Sequence, residues 1–348
     1  MIALETIPLA DALHDRAFMD LWIQDYGACA LSAADEVGLF AALAGGERSA
    51  AALAQSLKLD APALLATCQA LVALGALVAT PAGFELSGSG RLFWWPGSPC
   101  YRGREFHRHW EWEQHQRIVE ALRAGWAPLR DCDEPLSEAW AHGNVSPQYA
   151  ENFTRVMHSL ILTPTLAATR SGAFQGVRHL VDVGGGSGAL AAALMAHQPE
   201  ARATVMDLEP VCESSRRILA NVESGARVEY FPANFFVDRW PSDADAFMMS
   251  NILHDWPLAE GRQLVGCAFA SLPPGGCLFV LEALLDDGRC SPRTNVLFNL
   301  LMQINHRGQQ FTRGELCAML TEQGFVAPRV ALEYSYWSLV VARKPGRA

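Results

Sequence analysis

The sequence predicts an α/β chain in which a Rossmann-like C-terminal half follows an α-helical N-terminal half. Three observations carry this. From residue 171 onward, short apolar runs alternate with helical patterns. The run Leu180-Val181-Asp182-Val183 enters the glycine turn Gly184-Gly185-Gly186-Ser187-Gly188 and then a helix. Before residue 171 the chain is alanine-rich, with apolar residues at helical spacing. Alternating strands and helices imply a parallel sheet covered on both faces, with ligands at the carboxyl ends of its strands.

Element by element, the first half reads as follows. Phe18 to Leu43 is one long amphipathic pattern, and Ser49 to Leu57 and Pro62 to Leu74 are two further helices. Leu77–Thr80 and Phe84–Leu86 flank Pro81-Ala82-Gly83 as a small hairpin. Helix, helix, hairpin is a winged-helix-like order. The helix from Pro62 to Leu74 carries no Arg or Lys. It is therefore a poor groove reader, and dimerisation is the expected role. Residues 91–150 form a helical connector rich in aromatics, with His107, His109 and His115 among polar positions. Those histidines read as solvated or hydrogen-bonded, and no metal is expected. In the second half the expected strands are His179–Val183, Ala203–Met206, Arg227–Phe231, Ala246–Met249 and Cys277–Glu282, with late strand material at Tyr334–Val341. The expected helices are Ala189–His197, Val211–Asn221, Ala259–Ser271 and Arg313–Glu322. The division this implies is residues 1–100 as a winged-helix-like dimerisation domain, 101–170 as a helical connector contributing to the substrate pocket, and 171–348 as the Rossmann-like catalytic domain.

Composition narrows the function. The 348 residues are 50% hydrophobic and 18% charged, enough for a large core in two domains. A net charge of −10 argues against a nucleic-acid partner. Lys58 and Lys344 are the only lysines, which makes Schiff-base chemistry improbable. The nine cysteines form no C-x-x-C pair and read as reduced thiols. No apolar stretch reaches the ~18 residues of a membrane span. A soluble, cytoplasmic protein is expected.

The glycine turn names the ligand class. Glycines let backbone N–H groups approach a ligand closely. Gly184, Gly186 and Ala189 also satisfy the G-x-G-x-x-A of dinucleotide enzymes. Asp182 discriminates, because a carboxylate there repels a pyrophosphate and attracts a cation. S-adenosyl-L-methionine (SAM) carries an ammonium and a sulfonium and no phosphate. Asp207 falls 23 residues after Gly184, where a βαβ unit delivers an acid to a ribose. Leu208 is placed to pack on adenine, Asn234 to hydrogen-bond its amino group and Phe235 to stack on the ring.

Ser250-Asn251-Ile252-Leu253-His254-Asp255-Trp256-Pro257, with VDVGGGSG upstream and Leu272-Pro273-Pro274-Gly275-Gly276 downstream, resembles the SAM-dependent O-methyltransferases of the caffeate/acetylserotonin type. The resemblance covers nearly the whole chain. It implies a class I methyltransferase domain, SAM as cofactor and S-adenosyl-L-homocysteine (SAH) as product. It also implies a homodimer formed through the N-terminal domain, and a small aromatic or polyketide-like acceptor.

In that family the LHDW histidine is the general base, which matches His254, and a Glu at the end of the fifth strand orients it, which matches Glu282. Asp255 is the adjacent acid, and Ser250 falls on the cofactor side. Phe153 and Met157 match an FxxxM helix lining the acceptor pocket, with His158 beside them. Phe298, Met302 and Asn305 match further acceptor contacts. Two departures stand out. Asn234 replaces a frequent acid, and Gln310 stands where many members have a second Glu near the base. With less base available, carbon methylation of an electron-rich aromatic or keto acid stays open as the alternative reaction.

Overall fold

A computed structural model of the chain describes residues 2–9, 11–127 and 135–346. It divides into two compact units. A helical unit comprises Ala17–Glu138 and Leu285–Thr312, and a sheet unit comprises Met1–Arg16, Ala139–Leu284 and Arg313–Ala348. Both are assembled from non-consecutive segments, unlike the three consecutive blocks expected from sequence.

In chain order, α1 spans Ala12–Glu36 and α2 spans Leu39–Ala42. The single helix expected over Phe18–Leu43 is therefore broken. Gly38 sits at φ 77° between the two segments, a left-handed conformation that ends a helix. Next come α3 (Ala50–Leu57) and α4 (Ala61–Ala73). Each starts on a side-chain cap: Ser49 Oγ accepts from Ala52 N at 3.2 Å, and Asp60 Oδ1 from Ala63 N at 2.9 Å. The hairpin follows, with β1 (Leu77–Thr80) antiparallel to β2 (Gly83–Leu86). Then come α5 (Glu113–Ala124), α6 (Leu136–His142) and α7 (Pro147–Arg170). The core of the helical unit joins Ile23, Leu39, Phe40, Leu53, Leu64, Leu71, Leu77, Ile118 and Leu122 to Val296, Leu300 and Ile304 of a late helix. α4 is mostly buried from Ala63 to Leu71, Thr67 and Gln69 included, as its largely apolar sequence requires.

The sheet unit holds β3 (His179–Val183), α8 (Ala189–His197), β4 (Arg202–Asp207), α9 (Glu209–Leu219), β5 (Glu229–Pro232) and β6 (Ala246–Ser250). It continues through α10 (Leu258–Ser271) and β7 (Cys277–Glu282). The late helix α11 (Arg293–His306) belongs to the helical unit, and α12 (Arg313–Glu322), β8 (Val326–Tyr334) and β9 (Trp337–Arg343) return to the sheet. Strand order is β5-β4-β3-β6-β7-β9-β8. The five strands from β5 to β7 are parallel. The expectation of a wholly parallel sheet fails at β8 and β9, which pair antiparallel. Only Ser335 and Tyr336 join them, and a connection so short cannot make the crossover that parallel pairing needs.

The chain leaves β3 toward β4 and β5, then returns to β3's other side as β6. That reversal is a topological switch point, and the crevice outside the carboxyl ends of β3 and β6 is where such sheets bind ligands. Among the described residues no helix is long and apolar enough to cross a membrane.

Candidate active site

The turn after β3 is built for close approach. Gly184, Gly186 and Gly188 have φ of 64°, 53° and 71°, a region costly to L side chains. A Cβ on Gly184 would lie 2.3 Å from Ile252 Cδ1, and one on Gly188 would lie 2.7 Å from Ser215 Oγ. The end of β4 braces this turn. Asp207 Oδ2 accepts from Gly186 N at 3.0 Å and Oδ1 from Leu208 N at 2.8 Å.

Asp182 lies beneath the turn at 1% exposure, and its Oδ1 has no hydrogen-bond partner. Burial, reinforced by the charge of Asp207, pushes its carboxyl up to about 8. Burial likewise raises Asp207 to about 6, against the pull of its two backbone donors. The orphaned Asp182 oxygen is open to a partner, and ionising this carboxyl is favourable only with a cation beside it. This fits the ammonium of SAM and would penalise a phosphate.

Around this floor, Leu208 begins α9, half-buried. Phe235 lies near Gly184, where it also packs on Phe236 and, edge-on, on Trp256. Asn234 is more committed than its sequence position implied. Its Nδ2 donates to Ala141 O at 2.6 Å and its Oδ1 accepts from Phe236 N at 3.0 Å. One amide hydrogen is left for an adenine.

At the end of β6, Ser250 Oγ is buried without a partner, as are both heteroatoms of the Asn251 side chain. Asn251 is 4% exposed with φ 54°. In the sequence Asn251 stands out only as part of the Ser250–Pro257 motif. A strained, buried, unpaired amide at the switch point marks it as a candidate ligand-binding group. Its place next to Ser250 was the only signal in the sequence.

One turn further, His254 and Glu282 meet in the interior, 2% and 0% exposed. His254 Nδ1 is 2.9 Å from Glu282 Oε2. The other carboxylate oxygen accepts from Leu253 N at 3.0 Å and His254 N at 3.3 Å. β7 supplies Glu282 and the loop after β6 supplies His254, so pairing of these strands brings together residues 28 positions apart. Asp255 Oδ1 flanks the opposite nitrogen, 3.4 Å from Nε2. Burial pushes Asp255 up to about 7, with His254 pulling it down and Glu282 adding to the rise.

The residues that the sequence assigned to the acceptor are distributed over the two units. Phe153 and Met157 lie on α7 in the sheet unit, Phe153 packing against Trp140 and Tyr149. His158 follows them, but its ring reaches Ser187 of the glycine turn. Phe298, Met302 and Asn305 lie on α11 in the helical unit. There Phe298 meets Trp22 edge-on at 5.5 Å, and Asn305 Oδ1 accepts from Arg117 Nη2 at 2.5 Å. Gln310 is fully buried, and its backbone N–H donates to Asn299 Oδ1 at 2.8 Å. Among the described residues no cluster of His, Cys, Asp and Glu could hold a metal ion.

Residues 135–326 match the O-methyltransferase domain family. The chain belongs to this family. It is a methyltransferase, and the cofactor is SAM, as the motifs implied. It is 32% identical over 300 residues to a 3-hydroxy-5-methyl-1-naphthoate 3-O-methyltransferase of Streptomyces sahachiroi, covering 84% of each chain. It is 28% identical over 357 residues to the N,N-dimethyltransferase OxyT of Streptomyces rimosus, covering 98% of this chain and 99% of that one. Among solved structures it superposes on an O-methyltransferase family 2 protein of Planctomyces limnophilus, in complex with apigenin. That match has a TM-score of 0.83 at 20% identity and covers 99% of each chain.

Proposed function

We propose that this methyltransferase moves the methyl group of SAM to a hydroxyl of a small aromatic or polyketide-like acceptor, with His254 as the general base. The observation that carries the reading is the buried His254–Glu282 pair. Glu282 Oε1 is pinned by two backbone N–H groups, which leaves Oε2, 2.9 Å from Nδ1, as the acceptor for the proton on that nitrogen once the base turns to meet it. That fixes the tautomer with the lone pair on Nε2. A phenol, with a pKa of ~10, stays protonated at neutral pH and is a poor nucleophile. Nε2 takes that proton as the oxygen attacks, and Glu282 and Asp255 stabilise the imidazolium that results. When bound, SAM supplies an electrophilic methyl on a sulfonium. Asp182 and the glycine turn hold it, Asp207 and Leu208 take its ribose and adenine, and Asn234, Phe235 and Ser250 complete the cofactor contacts. Phe153 and Met157, with Phe298, Met302 and Asn305, are assigned to the acceptor.

The O-methyl names of the family and of the naphthoate relative favour oxygen over carbon as the methylated atom. Incubating the protein with SAM and a panel of phenols, with mass spectrometry and NMR of the products, tests this directly. An O-methyl ether is expected, and a C-methyl or N-methyl product would overturn the assignment. His254→Ala should lower turnover by ~10²-fold or more while SAH still binds. Turnover equal to the parent's would remove His254 as base.

We further propose a cytoplasmic homodimer formed through a winged-helix-like region of the helical unit. Phe18 and Leu21 on α1 are each 62% exposed, apolar surface that a partner copy would cover. Light scattering of a monomer at micromolar concentration would contradict this.

A further inference from the structure

α7 faces two ways. Phe153 and Met157 are four residues apart and share a face of the helix, while His158 is turned ~100° beyond Met157. On that second face His158 Nδ1 lies 2.9 Å from Ser187 Oγ. Ser187 is 2% exposed inside the glycine turn, and its oxygen also receives the Ala189 N–H at 3.4 Å, where α8 begins. Burial first, and Arg155 one turn earlier second, press the His158 pKa below its ordinary value. The ring is therefore neutral. With Ser187 Oγ already accepting from Ala189, the balanced arrangement has its hydroxyl donating to Nδ1 and the imidazole proton on Nε2. No other side-chain hydrogen bond is recorded between α7 and the turn among the described residues. The exposed Arg217–Glu151 contact joins α7 to α9 instead, and an exposed ion pair contributes little.

We propose that His158 is a positioning residue for the cofactor: through Ser187 it fixes the Gly184–Gly188 turn and ties that turn to the helix carrying Phe153 and Met157. The assignment rests on the turn being the SAM site. It moves His158 from the acceptor side, where its sequence position put it, to the cofactor side. Bound SAM and the acceptor helix then share one anchor, so loosening it degrades cofactor affinity first.

The test is a mutant cycle of His158→Ala, Ser187→Ala and the double variant, with His158→Asn as the conservative replacement. Asn places an amide near the Nδ1 position and keeps a partner for Ser187. SAH affinity is read by calorimetry, and KM for SAM and for a phenol acceptor by steady-state assay. Each alanine variant is expected to weaken SAH by up to ~10-fold, the worth of one hydrogen bond. The double variant should be no worse than Ser187→Ala alone, because that variant already removes the His158 contact along with the Ala189 bond. His158→Asn should recover most of the affinity, and the acceptor KM should stay at the parent value. Unchanged SAH affinity in His158→Ala would overturn the proposal. So would a double variant weaker than Ser187→Ala alone, or a raised acceptor KM with intact SAH affinity. Asp182→Asn serves as the control on the site itself: if it leaves SAH binding untouched, the turn is not the cofactor site, whatever His158 does.

Discussion

Glu282→Gln changes almost no volume and tests the catalytic reading at its centre. Glu282 Oε1 accepts from Leu253 N and His254 N, and its Oε2 lies 2.9 Å from His254 Nδ1, with no exposure to water. A glutamine there has one oxygen and one NH2 group, and two orientations are open to it. If the oxygen turns to His254 Nδ1, the NH2 faces two backbone N–H groups and leaves both unsatisfied. At ~1–3 kcal/mol for each buried orphan, that orientation costs about 2–6 kcal/mol. If the oxygen keeps the backbone donors, the NH2 points at Nδ1 and every group is satisfied, provided the imidazole proton moves to Nε2. The second orientation wins. His254 then carries a hydrogen on the nitrogen that should accept the acceptor's proton.

The expected loss is the whole contribution of general-base catalysis, ~10²–10⁴-fold in the chemical step. Single-turnover methylation of a phenol at saturating SAM is the assay, with calorimetry of SAH as the check that the cofactor site survives. The deficit should shrink as pH rises toward the phenol's own pKa of ~10, where hydroxide ionises the acceptor without help. A variant as fast as the parent at neutral pH, with SAH still bound, would refute the tautomer argument.

The raised Asp182 carboxyl makes cofactor binding pH-dependent. It sits near 8 in the free protein and must be ionised to hold the ammonium, so SAM affinity should fall as pH drops below about 8. Calorimetry in buffers of different ionisation heat should show nearly one proton released per SAM bound at pH 7, and almost none once the pH is well above 8. The same shift has a stability consequence. A carboxyl raised above its unfolded value contributes stability that is fully present below the unfolded value of 3.8 and is lost progressively as pH rises from there through about 8. Asp182→Asn should therefore raise the melting temperature of the cofactor-free protein already at neutral pH, with the gain reaching its plateau above pH 8, which thermal denaturation reads. Gly188→Ala forces a side chain into φ 71° and against Ser215 and Leu219. It should cost at least ~1–2 kcal/mol of stability, about 2–4 °C in melting temperature for each kcal/mol.

Much of the sheet unit was legible because its signals are local. A buried strand is a short apolar run, so β3 and β7 fall at the predicted residues, and the VDVGGGSG and LHDW runs lie at the ends of β3 and β6. Helix starts at Ser49 and Asp60 were written in their capping side chains. What the sequence could not determine depends on groups distant along the chain. The antiparallel edge of β8 and β9 comes from a two-residue connection inside what read as one late strand. The assignment of α11 to the helical unit follows from packing of Val296, Leu300 and Ile304, which periodicity alone cannot direct to one partner or another. The orphaned Asn251 amide, the Asn234 bonds to Ala141 and Phe236, and the His158–Ser187 contact are likewise tertiary facts. Each residue type allowed several partners, and only the folded backbone decided which came within hydrogen-bond reach. The sequence by itself determined the chemistry carried at each strand end, because residue type and strand order are encoded locally. The tertiary structure decided which of those groups meet and which lose their water, and burial is what raises the carboxyls of Asp182 and Asp255 and closes Glu282 against His254.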